Sequence, residues 1–293
     1  MNAIETRSLT KFYGRSRGIG DLNLSVGEGE FFGFIGPNGA GKSTTIRLLL
    51  GLLHASGGTA EIFGRSVAKN GASILSEVGY LPSETSFYPG MRVREILRLS
   101  AGLRKKDCTD EAKRLCDRLE LDCSKRVETL SFGNRKKVGI VCALQHNPRL
   151  CILDEPTSGL DPLMQREFFS ILKERNAQGT TVFLSSHVLS EIQRYCTGAA
   201  IIREGKLIAC DRVEALSQTS AKRVHIQGAV DLSGLQDIRD LQRTENGVSF
   251  LYGGDINALM KRLAEYPIQD LSVGEPDLEE IFLHYYLEEG ETK

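Results

Sequence analysis

The hydrophobic positions along this chain switch repeatedly between two spacings, and the switches predict alternating strands and helices. Residues 30–35 form a short apolar run that is typical of a buried strand. Residues 44–53 then carry apolar side chains at helical spacing without a proline. The alternation returns later, with predicted strands at 150–153, 180–184 and 199–202 and predicted helices at 162–177 and 188–196. Such alternation is typical of an α/β fold with a mostly parallel sheet and flanking helices.

Two regions of this part of the chain depart from the alternation. A helix-like insert with interspersed Arg and Lys occupies about residues 88–147, and Val93, Ile96, Leu97 and Leu99 share one predicted face of it. Near the N-terminus, residues 4–10 alternate weakly and predict an edge strand, while residues 57–64 predict a turn, a strand and a second turn. We therefore expect an antiparallel β edge and a helical insert around the parallel core.

A polar stretch at residues 217–220 predicts a domain boundary. We expect a first domain at 1–217 and a smaller α+β accessory or regulatory domain at 218–293. The predicted elements of this second domain are strands at 223–227, 248–252 and 268–273 and helices at 256–265 and 277–287.

Composition narrows the class of protein without naming it. The chain has 293 residues, 41% of them hydrophobic, and its 37 Lys and Arg against 38 Asp and Glu give a net charge of -1, so no nucleic-acid partner is expected. No apolar stretch approaches the ~20 residues that span a bilayer, and the N-terminus has no apolar signal segment. The seven cysteines form no C-x-x-C pair, which favours reduced thiols in the cytoplasm.

One loop lies between the first buried strand and the first helix and matches Gly-x-x-x-x-Gly-Lys-[Ser/Thr] at every defined position. Its glycines allow the backbone to curl around an anion, and the following helix directs its positive end at phosphates. We expect Lys42 to bind the β- and γ-phosphates of a nucleoside triphosphate and Ser43 to bind Mg²⁺. The expected nucleotide-binding residues are Gly36, Pro37, Asn38, Gly39, Ala40, Gly41, Lys42, Ser43 and Thr44.

A second motif ends an apolar strand in two acids, Asp154 and Glu155. In enzymes with a phosphate-binding loop, an Asp in this place holds Mg²⁺. The next carboxylate can orient and deprotonate a water in line with the γ-phosphate. We therefore predict Asp154 as a metal ligand and Glu155 as the catalytic base.

Together with further short motifs, these residues resemble the ATP-binding cassette (ABC) ATPases. Leu130-Ser131-Phe132-Gly133-Asn134 is similar to the family's signature motif, usually Leu-Ser-Gly-Gly-Gln, with departures at Phe132 and Asn134. Ser158-Gly159-Leu160-Asp161 and Ser185-Ser186-His187 match its interface loop and its switch histidine, and Tyr13 its adenine-stacking aromatic, with Phe12 as the alternative. The chain is identified as a member of this family.

The resemblance implies roles for these residues. Ser131, Gly133 and Asn134 are expected to open a helix that faces the γ-phosphate held by a second subunit, with Arg135-Lys136-Lys137 adding positive charge. His187 is expected to contact both the γ-phosphate and Glu155 and to take part in catalysis with Lys42. Where the family usually has Gln, this chain has Ser83, which is too short to reach as far. Glu84 is either a substitute metal ligand or a solvated side chain.

The implied function is that of the ATP-binding and ATP-hydrolysing subunit of an ABC transporter, with ATP and Mg²⁺ as cofactors. The implied partners are a separate transmembrane permease and a second ABC subunit, as a head-to-tail homodimer on the inner face of the cell membrane. Residues 79–84 and 275–282 resemble bacitracin-type drug exporters, so export is expected. The alternatives are a soluble ABC-type ATPase acting on ribosomes or nucleic acid, and a regulatory cassette that does not hydrolyse ATP.

Overall fold

The computed structural model describes residues 1–14, 16–217, 222–244 and 246–274. The chain divides into two compact units, Met1–Val213 and Glu214–Lys293. The helix expected at 277–287 and the segment 275–282 lie outside the described residues.

The first unit contains the strands and helices that the sequence pattern alternates. In chain order they are β1 (Asn2–Tyr13), β2 (Ser16–Gly27), β3 (Phe31–Ile35), α1 (Lys42–Leu49), β4 (Gly57–Ile62), β5 (Arg65–Ser66), α2 (Val67–Leu75), β6 (Val78–Leu81), α3 (Val93–Leu103), α4 (Thr109–Arg118), α5 (Phe132–Leu144), β7 (Leu150–Asp154), α6 (Pro162–Ala177), β8 (Thr181–Ser186), α7 (Leu189–Tyr195), β9 (Gly198–Arg203) and β10 (Lys206–Arg212). A 3-10 turn at Val127–Thr129 precedes α5, and α8 (Val213–Ser217) follows β10.

A six-stranded sheet, in the order β10-β9-β3-β8-β7-β6, forms the centre of the first unit as described. All neighbouring pairs are parallel except β10 with β9, which confirms the predicted α/β class. The register pairs Ile35 with Ser186 and Asp154 with Ser185. Because carboxyl ends of parallel strands meet at one edge, the loops after β3, β7 and β8 converge there.

A second sheet, in the order β2-β1-β4-β5, packs on the same core, and it corrects one prediction. Residues 4–10 do form a strand, but β1 lies between β2 and β4 and is not an edge strand. The sequence analysis missed β2, although residues 22–26 alternate buried apolar and exposed polar side chains, which is the usual strand signal. The shared core includes fully buried side chains from both sheets: Ile4, Leu22, Phe34, Ile152 and Phe183.

The helical insert is present as α3, α4 and α5, with one correction to its predicted face. Val93, Ile96 and Leu97 are buried, whereas Leu99 is 42% exposed. The buried positions follow the i, i+3, i+4 spacing of a helix, and Leu99 lies outside that stripe. None of the helices within the described residues is long and apolar enough to cross a membrane.

The second unit is a small α+β structure with its own core. Its elements are β11 (Lys222–Gln227), β12 (Ile238–Thr244), β13 (Gly247–Tyr252), α9 (Ile256–Leu263) and β14 (Asp270–Gly274). The described strands form an antiparallel sheet in the order β12-β13-β11-β14. Leu259 and Leu263 of α9 share a hydrophobic cluster with Val224 and Phe250 of the sheet. The sequence pattern missed β12, whose residues are mostly exposed and polar.

Candidate functional site

The loop between β3 and α1 has a backbone that requires glycine at several points. Gly39 and Gly41 have φ values of 81° and 108°, which side-chain-bearing residues rarely adopt. A Cβ on Gly41 would lie 2.8 Å from Cγ2 of Ile19, and one on Gly36 would lie 2.6 Å from the carbonyl oxygen of Ile202. The loop therefore curls tightly against β2 and β9 and leads directly into the N-terminus of α1.

Lys42, the first residue of α1, holds a buried positive charge inside this loop. Its side chain is only 5% exposed, and its Nζ donates hydrogen bonds to the carbonyl oxygens of Gly36 (2.6 Å) and Pro37 (3.2 Å). The same Nζ lies 3.2 Å from Oε1 of Glu155. The cation is thus fixed between the phosphate-binding loop and the predicted catalytic carboxylate.

Ser43 and Asp154 meet at the edge of the sheet, as predicted for a shared metal site. The Ser43 hydroxyl donates to Oδ2 of Asp154 at 2.8 Å, and the Ser185 hydroxyl donates to Oδ1 at 2.5 Å. Asp154 is 2% exposed. A hydroxyl and a carboxylate in contact, beside a phosphate-binding loop, are oxygen donors of the kind that Mg²⁺ uses together with substrate phosphates. The donor set therefore fits Mg²⁺.

Glu155 and His187 contact each other at the same edge. Nδ1 of His187 lies 3.2 Å from Oε2 of Glu155. The backbone at Glu155 is left-handed, with φ of 46°, and its N–H donates to the carbonyl and hydroxyl oxygens of Ser185. Such a backbone is unfavourable for a residue other than glycine, and the hydrogen bonds that the Glu155 N–H donates to Ser185 stabilise the turn.

The signature residues open α5, as the resemblance implies. Ser131 is the N-cap, and its Oγ accepts a hydrogen bond from the N–H of Asn134 at 3.3 Å. A Cβ on Gly133 would lie 2.4 Å from the carbonyl oxygen of Gly159, and the ring of Phe132 packs on Gly159. The signature turn and the loop at 158–161 therefore pack against each other and line a shared cavity of about 400 Å³.

Tyr13 lies on the phosphate-loop side of β1. Its ring covers Gly18, where a Cβ would be 2.7 Å from Cε2 of Tyr13, and the carbonyl oxygen of Gly18 would lie 3.1 Å from a Cβ on Gly41. Tyr13 is 47% exposed, and Nζ of Lys11 lies over its ring, 5.5 Å from the ring centroid. Phe12 is the next residue back along the strand and is similarly exposed. Adjacent strand residues point to opposite faces, so the contact with Gly18 favours Tyr13 as the stacking ring.

The segment after β6 bears on the two alternatives for Glu84, a metal ligand or a solvated side chain. Glu84 is exposed and lines a separate cleft with Phe132 and Arg135. Within the described residues Glu84 makes no hydrogen bond or ion pair, so the structure gives no support to it as a metal ligand.

Of the three residues expected to add positive charge, Lys136 is 0% exposed, and Lys137 is 8% exposed and lines the signature cavity. They do not form an open positive surface. Lys136 instead points inward to the backbone after β6. Its helical spacing from buried Ile140 and Ala143 was the signal that sequence reasoning missed.

Comparisons with known proteins agree with this geometry. A family model described as ABC transporter matches residues 19–158. A second model, described as an AAA domain and putative AbiEii toxin of a type IV toxin–antitoxin system, matches residues 125–192. Among curated proteins, the bacitracin transport ATP-binding protein BcrA of Bacillus licheniformis is 37% identical, covering 96% of each chain. The probable multidrug ABC transporter ATP-binding protein YbhF of Escherichia coli is 32% identical, covering 81% of this chain and 42% of that protein.

A solved structure described as the ATP binding subunit of an ABC transporter superposes with a TM-score of 0.69 and 31% identity, covering 73% of this chain and 91% of that one. The chain therefore belongs to the ATP-binding subunits of ABC transporters. The predicted family and its ATPase activity are confirmed.

Proposed function

We propose that this chain hydrolyses ATP between two copies arranged head to tail and so powers a separate transmembrane permease, with export as the direction. The observation that carries the proposal is the contact network at one sheet edge, where Lys42, Ser43, Asp154, Glu155 and His187 are joined by hydrogen bonds and ion pairs. These are the groups that phosphate binding, metal binding and water activation require.

Within one chain, the loop N–H groups and Lys42 bind the ATP phosphates, and Tyr13 stacks on the adenine. Glu155 accepts a proton from the attacking water, and His187 holds the Glu155 carboxylate through Nδ1. Ser43 and Asp154 would hold Mg²⁺, which when bound supplies neutralising charge to the phosphates. Thr44, Asn38 and Ala40 complete the loop around the anion.

The second copy supplies the part of the site that faces the γ-phosphate from the other side. Ser131, Gly133 and Asn134 lie at the N-terminus of α5, where the N–H groups of the first turn and the helix dipole favour an anion. Ser131 and Phe132 are exposed, so this end of the helix is accessible to a partner. A homodimer then contains two equal composite sites.

Export is supported by the relatives, since BcrA is described as a bacitracin transport protein and YbhF as a probable multidrug transporter protein. A permease partner places the chain at the inner face of the cell membrane. The second unit, from Glu214 onward, is proposed as an accessory or regulatory domain.

The central experiment replaces Glu155 by Gln. We expect phosphate release from ATP to fall at least about 100-fold, because the general base is lost, while the affinity for ATP changes by less than about threefold. ATP with Mg²⁺ should then convert the 32.3 kDa monomer into a dimer, measured by light scattering. Glu120→Gln, at an exposed turn, is the matched control and should behave as wild type. A Glu155→Gln variant that hydrolyses ATP normally contradicts the proposal, as does one that stays monomeric.

A further inference from the structure

Lys136 is a fully buried cation that the proposed mechanism does not use. It lies in α5, four residues after Phe132, and its side chain is 0% exposed. Ile140 and Ala143 occupy the same buried stripe of the helix. A buried ammonium is unfavourable unless hydrogen-bond acceptors and opposite charge compensate it, so its surroundings must provide both.

The acceptors are two backbone carbonyls in the segment after β6. Nζ of Lys136 donates to the carbonyl oxygens of Ser83 at 2.8 Å and Pro82 at 3.1 Å. This is the segment where the family usually has Gln and this chain has a short serine. The link between α5 and this segment is therefore made through the Ser83 backbone and a lysine from α5.

The compensating charge comes from the catalytic edge of the sheet. β6 pairs in parallel with β7, and Leu81 is in register with Leu153. Pro82 and Ser83 therefore leave the sheet beside Asp154 and Glu155. Burial lowers the pKa of Lys136 to about 8, and the charges of these two carboxylates act in the opposite direction.

We propose that Lys136 is a positioning residue for ATP hydrolysis, which fixes the Pro82–Ser83 segment and places a positive charge near the Asp154 and Glu155 carboxylates. The signature helix α5 and the catalytic edge of the same chain are thereby held in one arrangement. This inference rests on the proposed role of Glu155. Lys136 itself contacts neither ATP nor water in this scheme.

Two variants separate the hydrogen bonds from the charge. Lys136→Met keeps the length and removes both, whereas Lys136→Gln keeps amide donors without charge. Lys106→Met is the matched control, because Lys106 also donates to a backbone carbonyl, that of His146, but within the insert alone. The measurements are kcat and KM for ATP, the Kd for a fluorescent ATP analogue, and hydrogen–deuterium exchange of residues 83–86.

We expect Lys136→Met to lower kcat about tenfold with less than a twofold change in Kd, because catalytic groups are displaced while the binding loop is intact. Exchange at 83–86 should rise in the same variant. Lys136→Gln should lose about threefold in kcat with near-normal exchange. Lys106→Met should leave all these quantities within twofold of wild type.

Normal kcat in Lys136→Met overturns the proposal, and so does normal exchange at 83–86. If Lys136→Met does not fold, Lys136→Gln decides, because wild-type kcat in that variant overturns the role of the charge. If the proposed role of Glu155 is wrong, Glu155→Gln hydrolyses ATP normally. Exchange at 83–86 in Lys136→Met then still shows whether Lys136 holds the Pro82–Ser83 segment.

Discussion

The proposed ATP site has two halves, the phosphate-loop edge and the signature end of α5. They differ in how many of their polar groups are hydrogen-bonded or ion-paired within one chain. At the phosphate-loop edge, Lys42 and Asp154 are buried and bonded to the loop carbonyls, Ser43, Ser185 and Glu155. At the signature end of α5, Ser131 and Phe132 are exposed, and the Ser131 hydroxyl takes part in the helix cap.

This difference indicates that the phosphate-loop half binds the nucleotide and the signature half contacts the partner. A buried, bonded network is preorganised, so it can bind phosphates and direct a water without large rearrangement. An exposed helix N-terminus offers its N–H groups to a group that arrives from outside the chain. Nucleotide affinity should therefore depend on the first half, and dimer formation on the second.

Replacing Lys42 by Met should have the largest effect. The loss of the cation removes a charge-assisted contact to phosphate and the ion pair between Lys42 and Glu155, so ATP affinity should fall about 100-fold. Titration calorimetry with ATP and Mg²⁺ measures this. Lys69→Met, on the exposed face of α2, is the control and should bind as wild type. Unchanged affinity in Lys42→Met would show that the buried network does not bind the phosphates.

A change at Ser131 should alter dimerisation without altering the ATP affinity of the monomer. In the Glu155→Gln background, Ser131→Asp can still cap α5, but its negative charge opposes the partner's γ-phosphate. We expect dimerisation to weaken at least about tenfold, while the ATP affinity of the monomer changes by less than twofold. Sedimentation analysis with ATP measures the first quantity. Ser131→Asn also caps and is neutral, so it should weaken dimerisation less. Equal dimerisation of the two variants would contradict the assignment of the signature end to the partner's γ-phosphate.

The phosphate-loop half was predictable because its information is local. The loop glycines, Lys42 and Ser43 are contiguous, and Asp154 and Glu155 follow a recognisable strand. Strand alternation indicates a parallel sheet, and parallel strands bring their carboxyl ends to one edge. The convergence of these segments therefore follows from the sequence pattern and one rule of topology.

The missed features depend on contacts between residues far apart in the sequence. Lys136 donates to carbonyls 53 and 54 residues away, and its spacing along α5 indicates burial but not which groups it contacts. The interior position of β1 depends on its pairing with both β2 and β4. Two local signals were available: the helical spacing of Lys136 from buried positions of α5, and the alternation at residues 22–26 in β2.

The smallest expected effect is a change in stability on replacing Gly133 by Ala. It tests whether the signature end is tightly packed although it is exposed. In Gly133→Ala, the new Cβ would meet the Gly159 carbonyl oxygen at 2.4 Å, and this backbone atom cannot move as freely as a side-chain tip. We expect a loss of about 1–2 kcal/mol in the free energy of unfolding, because overpacking outweighs the gain in helix propensity. Urea unfolding measures it.

Gly102→Ala in α3 is the matched control, since its Cβ meets no neighbour within 4 Å among the residues that the structure describes. It should gain up to about 1 kcal/mol from helix propensity alone. If both variants gain stability, the backbone of the loop at 158–161 shifts readily to accommodate the new Cβ, and the signature end is loosely packed as well as exposed. If Gly133→Ala alone loses stability, contacts within the chain fix the conformation of the signature end. The surface that binds a partner is then preorganised.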